Sequence, residues 1–176
     1  FIDIEINNDI PWRRKHSLSI KDNYSKAKYY NLYSDRLMEF YKKEWKYLVN
    51  LNYEMLLLFL EQLGLNIPVV RMSNYLFKGR KSDLVLDMCS QLEADVYIFG
   101  ELGEKYADKE NFMKKGIALY FQKYNHPEYK QLHGSFFSNL SIIDLLFNCG
   151  PDSLNILMDR NINRAKLIES IRMKTN

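Results

Sequence analysis

Polar and apolar positions change their period along this chain, and each change marks an element. Ile2, Ile4 and Ile6 alternate with acidic residues, as in a strand already under way at the first residue. Asn7-Asn8-Asp9-Ile10-Pro11 is turn chemistry, and Ser17-Leu18-Ser19-Ile20 opens a helix expected to run to about Asn31. From Arg36 to Trp45 apolar residues fall three and four apart, and Leu51 to Leu63 repeats the stripe more broadly, so packed helices fill the N-terminal half. Gly64 stands where a glycine closes a helix. Ile67 to Met72 then reads as a short buried strand with Pro68 at its beginning.

Beyond Met72 the order becomes regular. A loop from Ser73 to Lys81 leads to a helix from Ser82 to Leu92, a strand from Asp95 to Phe99 and a loop from Gly100 to Ala107. A helix from Asp108 to Lys115 and a strand from Ile117 to Phe121 follow. Such alternation predicts βαβ crossovers and a parallel sheet. Gln122 to Ser138 is polar and aromatic without a period, and a structureless stretch of that length tends to be functional. Leu140 to Cys149 is a strongly apolar helix, Gly150-Pro151-Asp152 breaks it, and a last helix starts at Ser153. The expected class is α/β: a parallel-sheet core of βαβ units with flanking helices, a helical N-terminal half and C-terminal helices.

Composition narrows the function classes. At 176 residues and 47% hydrophobic content, the expectation is one domain over residues 1–176. Lys and Arg number 25 against 22 Asp and Glu, a net charge of +3, which argues against a nucleic-acid partner. The longest apolar run, Met55 to Leu60, is far below the roughly 20 residues a bilayer span needs, so no membrane insertion is expected. Two cysteines, Cys89 and Cys149, form no disulfide framework, and a cytoplasmic location is the expectation. Because the chain opens on Phe1 inside a strand pattern, a preceding segment is expected to be missing.

Several constellations could carry chemistry. Phe77 to Ser82 places a glycine and three cations between a strand end and a helix start, where free N–H groups and the helix dipole favour a phosphate. Lys81, Ser82 and Arg71 would hold it; a solvated basic turn with a serine cap is the plainer account. Gly100 and Gly103 in Gly100 to Tyr106 would let backbone approach a ligand at a strand's carboxyl end, or simply form a tight turn. In Tyr124 to His133, His126 is the best acid or base, although the tyrosines could pack and the histidines stay exposed. His126 and His133 lack further ligands at metal-site spacing, so no metal is expected. On the helix after Leu140, Asp144 and Asn148 share a face at i and i+4. A buried Asp144 must be paired, either buttressing the fold or orienting a basic group. Trp12 to His16 is a basic-aromatic cluster that could contact a small phosphate ligand.

Trp12 to His16, the His126-Pro-x-Tyr-x-Gln131 segment and Leu140-Ser-Ile-Ile-Asp-Leu-Leu-Phe-Asn-Cys-Gly150 together resemble the WbqC-like protein family. The resemblance runs from the opening strand to about Leu157, with Val69 to Ser73, the Lys81-Ser82 helix start and the Gly100 to Tyr106 loop in order. It implies a place in bacterial surface-polysaccharide biosynthesis, such as O-antigen production, without a settled reaction. A His-Gln-Pro segment that precedes this region in the family is absent, in line with a missing N-terminal piece. Glu104-Lys105 and Ser138 depart from the family pattern, in which members often show an Arg-Asp-like pair and a proline is common at those places.

The combined expectation is an enzyme that binds a nucleotide sugar or other phosphate-bearing ligand for group transfer. His126 and Asp144 would be catalytic. Arg71, Ser73, Lys81, Ser82, Gly100, Gly103, Tyr106, Tyr129, Gln131 and Asn148 would bind substrate. No cofactor is indicated. The alternative is a non-catalytic binding or assembly protein, joined through its 13 Tyr and 2 Trp to a pathway partner or to a second copy of itself.

Overall fold

The computed structural model describes residues 2–175. The chain runs through α1 (Trp12–Tyr24), α2 (Tyr30–Lys42), α3 (Leu48–Gln62), α4 (Ser82–Gln91), β1 (Val96–Gly100), α5 (Lys109–Lys114), β2 (Ala118–Gln122), α6 (Ile142–Cys149), α7 (Ser153–Met158) and α8 (Arg164–Thr175). Short 3-10 turns occupy Met72–Asn74, Glu101–Lys105 and Gly150–Asp152. This mixture of helices with a parallel sheet is an α/β fold, though the sheet is small. Among the described residues, no helix is long and apolar enough to cross a membrane.

Two compact units are present: residues up to Ile67 together with His126–Asp159, and Pro68–Asn125 together with the residues from Arg160 on. The first is helical. Its core joins Leu37, Phe40, Trp45, Leu51 and Leu58 to Phe147, with the Tyr24 and Tyr30 rings 5.4 and 5.0 Å from that of Phe147. α6 takes its place because Leu145, Leu146 and Phe147 are all buried and Ser141 caps its first turn, accepting the Ile143 N–H. Gly150 ends it at φ 59°. A Cβ there would lie 2.5 Å from the Tyr29 ring, which sits close because the Tyr29 N–H donates to the Phe147 carbonyl at 2.9 Å.

α1 begins and ends earlier than the pattern predicts. Pro11, with φ −78°, already sets the helical dihedral, and the turn at Ser25 ends the helix. The alternating isoleucines make only one antiparallel bridge, Glu5 to Tyr47, flanked by Ile6 N–H to Lys46 O and Leu48 N–H to Ile4 O.

The second unit holds the sheet. β1 and β2 are parallel, Val96 opposite Ala118 and Gly100 opposite Gln122, and Phe99, Phe112, Ile117 and Cys89 form the core beneath them. The crossover α5 is capped by Asp108, which accepts from Asn111 N–H. Ile67 to Met72 is not a strand. Pro68 has no N–H for a ladder, and Val70 and Met72 stand 53% and 50% exposed, so nothing is gained by pairing the segment.

Candidate functional site

α6 turns Asp144 inward, where it is 3% exposed. Its Oδ1 accepts from the Tyr24 hydroxyl at 3.0 Å and from Asn148 Nδ2 at 3.2 Å; its Oδ2 accepts from the Tyr129 hydroxyl at 2.8 Å and from Gln131 Nε2 at 3.0 Å. A carboxylate offers about four acceptor positions, and here each is filled by a neutral donor. Asn148 arrives because it follows Asp144 by one helical turn, and its Nδ2 also caps the Asp144 carbonyl at 2.8 Å. Gln131 works in two directions: Nε2 also donates to Phe137 O at 2.9 Å, and Oε1 accepts the Phe137 N–H at 2.8 Å. The segment from Gln131 to Phe137 is thereby tied to α6 through one amide.

Burial, reinforced by the neighbouring Asp144 charge, pushes the Tyr24 phenol up to about 12. Tyr129 is raised by burial and then by its hydrogen bond to Asp144. Both remain protonated donors at neutral pH, which suits a carboxylate with no cation among these partners. Burial, then Asp144 and Asp152, also raises the Cys149 thiol, so it is a poor nucleophile at neutral pH.

His126 lies beside this network. Its Nε2 accepts the Asn139 N–H at 3.0 Å and its Nδ1 lies 2.9 Å from the Pro127 carbonyl. A carbonyl only accepts and a backbone N–H only donates, so these partners assign the neutral tautomer with the proton on Nδ1. The ring stacks toward Tyr129, 6.3 Å between centroids, and packs on Phe136 at 5.8 Å. His126 therefore meets Asp144's network through Tyr129.

Next to the network a cleft of about 290 Å³ opens in the first unit. Ser19, Asn23 and Tyr24 of α1 face Gln131, His133 and Phe137 across it, with Asp144 at its lining. His133 Nε2 donates to the Asn23 carbonyl at 2.8 Å. No lysine or arginine is among the lining residues, and Phe137 and Leu140 present exposed apolar surface, 63% and 46%.

Of the residues singled out from the sequence, Asp144, Tyr129, Gln131 and Asn148 converge and His126 adjoins them. Arg71, Ser73, Lys81, Ser82, Gly100, Gly103 and Tyr106 belong to the other unit. Local packing accounts for several of these. The Ser82 hydroxyl is buried and accepts the Asp108 N–H at 2.9 Å, joining α4 to the cap of α5. A Cβ on Gly103 would fall 2.5 Å from the Phe99 side chain, and Tyr106 meets the Phe99 ring edge-on at 5.7 Å. Gly100 closes β1, while Arg71 and Ser73 lie at the Met72–Asn74 turn. Lys81 holds φ 51° ahead of α4. Among the described residues, no three or more His, Cys, Asp or Glu side chains are grouped to hold a metal ion.

His133 belongs to the Tyr124 to His133 constellation, whereas Ser19, Asn23, Tyr24 and Phe137 do not stand out as site residues from the pattern. A signal did exist: Ser19 and Asn23, like Ile20 and Tyr24, repeat at i and i+4 and so share one face of α1.

A sequence model of the WbqC-like protein family matches residues 1–156, which include the whole Asp144 network and the cleft. The chain belongs to this family. A similar protein is found in Mycobacterium tuberculosis (strain ATCC 25618 / H37Rv), where it is described as uncharacterized protein Rv1507c: it is 28% identical over 148 residues, 83% of this chain. The match spans 64% of that relative's length. No solved structure matches this WbqC-like chain.

Proposed function

We propose that the chain acts in surface-polysaccharide biosynthesis of the O-antigen kind and that its first-unit cleft binds the sugar portion of a nucleotide sugar or a comparable phosphate-bearing precursor. Membership in the WbqC-like family suggests a polysaccharide-related role. The observation that carries the sugar reading is the lining of the cleft: amide, hydroxyl and imidazole groups beside an exposed phenyl ring, with no cation. Hydroxyl-rich rings pair with such neutral donors and acceptors and rest an apolar C–H face on an aromatic. A phosphate would want Lys or Arg there. In this reading Asp144 is a positioning residue that fixes Tyr24 and Gln131 at the wall of the cleft, and His126 positions Tyr129.

Thermal shift and calorimetry test it with free hexoses, N-acetylhexosamines, their nucleotide-linked forms and inorganic pyrophosphate. Nucleotide sugars and their free sugars should bind, and Asn23→Ala and Phe137→Ala should each weaken binding about tenfold without lowering the melting temperature. No binding by any sugar, or equal binding by pyrophosphate that ignores both substitutions, refutes the assignment.

A further inference from the structure

The segment leading into α4 carries features that the sugar cleft does not use. From Leu63 to Ser82 the sequence has no acidic residue, yet it holds Arg71, Lys78, Arg80 and Lys81. Nearby acids are Asp83 and Asp87 on α4, so cations outnumber carboxylates locally. Asp87 is committed, since its Oδ2 accepts the Lys78 N–H and the Gln91 amide, each at 2.7 Å. None of Lys78, Arg80 and Lys81 is in an ion pair among the described residues.

Apolar side chains stand among these cations. Tyr75 is extended, φ −128° and ψ 157°, and in extended backbone residues i and i+2 share one side while i+1 points to the other. The Tyr75 and Phe77 rings stack on that shared side, 4.9 Å apart and within 9° of parallel. Leu76 is thereby driven outward and is 88% exposed, flanked along the chain by Met72 and Val70 at 50% and 53%. A stacked aromatic pair thus leaves an apolar tip exposed between Arg71 and the cations Lys78, Arg80 and Lys81 along the chain.

We propose that this loop docks the second unit onto an anionic bilayer surface. Lys78, Arg80 and Lys81 would lie among the lipid headgroups, and Leu76 would enter the boundary with the acyl chains. Charge complementarity argues for the anionic surface, since apolar tips flanked by cations attach peripherally by combining the two contributions. Nothing in this proposal depends on what the first-unit cleft binds.

Co-sedimentation of the chain with vesicles of phosphatidylcholine, and of phosphatidylcholine mixed equally with phosphatidylglycerol, tests it at low and high salt. The chain should sediment with the anionic vesicles only, and high salt should release it. Leu76→Ser should weaken partitioning about tenfold, and Lys78→Glu with Arg80→Glu should abolish it. Far-UV circular dichroism and melting curves establish that these exposed substitutions leave the chain folded. Absence of sedimentation, equal sedimentation with both vesicle types, or no effect of Leu76→Ser overturns the proposal. Release by millimolar inorganic phosphate at constant ionic strength also overturns it, by identifying a small-anion site.

Discussion

Asp144→Asn changes one atom in shape and almost everything in hydrogen bonding. The amide keeps one acceptor and turns two N–H groups toward partners that donate. With the new oxygen in the Oδ1 position, Tyr24 and Asn148 keep an acceptor, and the Tyr129 hydroxyl can rotate to accept instead. Gln131 has no such option. Its Nε2 and Oε1 already serve the Phe137 carbonyl and N–H, so flipping the amide exchanges one lost bond for two. One donor is left facing a donor, and the remaining bonds lose their charged partner. Hydrogen bonds to charged groups contribute about 1.5–3 kcal/mol against about 1 for neutral ones, so the expected cost is about 2–4 kcal/mol. For a chain of this size that lowers the melting temperature by roughly 5–15 °C. Urea unfolding followed by tryptophan fluorescence measures it, since Trp12 and Trp45 both belong to the first unit. A loss below about 0.5 kcal/mol would show that Asp144 does not hold this network together.

Other outcomes follow from the same structure. Tyr24 keeps its proton to about 12 when folded, against its ordinary 10.0; the folded chain therefore binds more protons across that window, and stability present below pH 10 falls as pH rises through it. Tyr24→Phe should flatten this alkaline limb in pH-dependent melts, and an unchanged limb contradicts the assignment. Gly134 and Gly150 both sit at φ 59°, but a Cβ meets nothing within 4 Å at Gly134 and lies 2.5 Å from the Tyr29 ring at Gly150. Gly134→Ala should cost about 1–2 kcal/mol and Gly150→Ala about 2–5, in denaturant titrations; equal costs would refute the steric argument. Phe112 is fully buried beneath the sheet, so Phe112→Ala should remove about 3–5 kcal/mol from the stability of the second unit, read by hydrogen exchange of β1 and β2 amides, and unaltered protection would argue against that core.

The elements legible in the sequence are those whose period and punctuation agree. β1 and β2 lie within one residue of their expected bounds because short apolar runs are separated there by a capped helix of ordinary length. α6 was legible in its apolar run and in Gly150 after it, but it starts at Ile142 rather than at the expected Leu140, because Ser141 caps it instead of joining it. The Ile67 to Met72 segment misled because an apolar run says nothing about whether a partner strand exists. Asp144's need for partners was legible from the cost of burying a carboxylate on an apolar helix, and Asn148 from its spacing. Tyr24 was not, since it lies 120 residues away in sequence on a mostly polar helix, and only the tertiary fold brings that helix against α6.

The most direct test of the sugar-binding cleft is an amide-detected NMR titration of the ¹⁵N-labelled chain with N-acetylglucosamine, galactose and UDP-glucose. The side-chain amide signals of Asn23 and Gln131 and the backbone signals around Phe137 should move saturably, while those of Asn111 on α5 stay fixed. Saturable shifts confined to residues outside this cleft, or no shifts with any of the three, would contradict it.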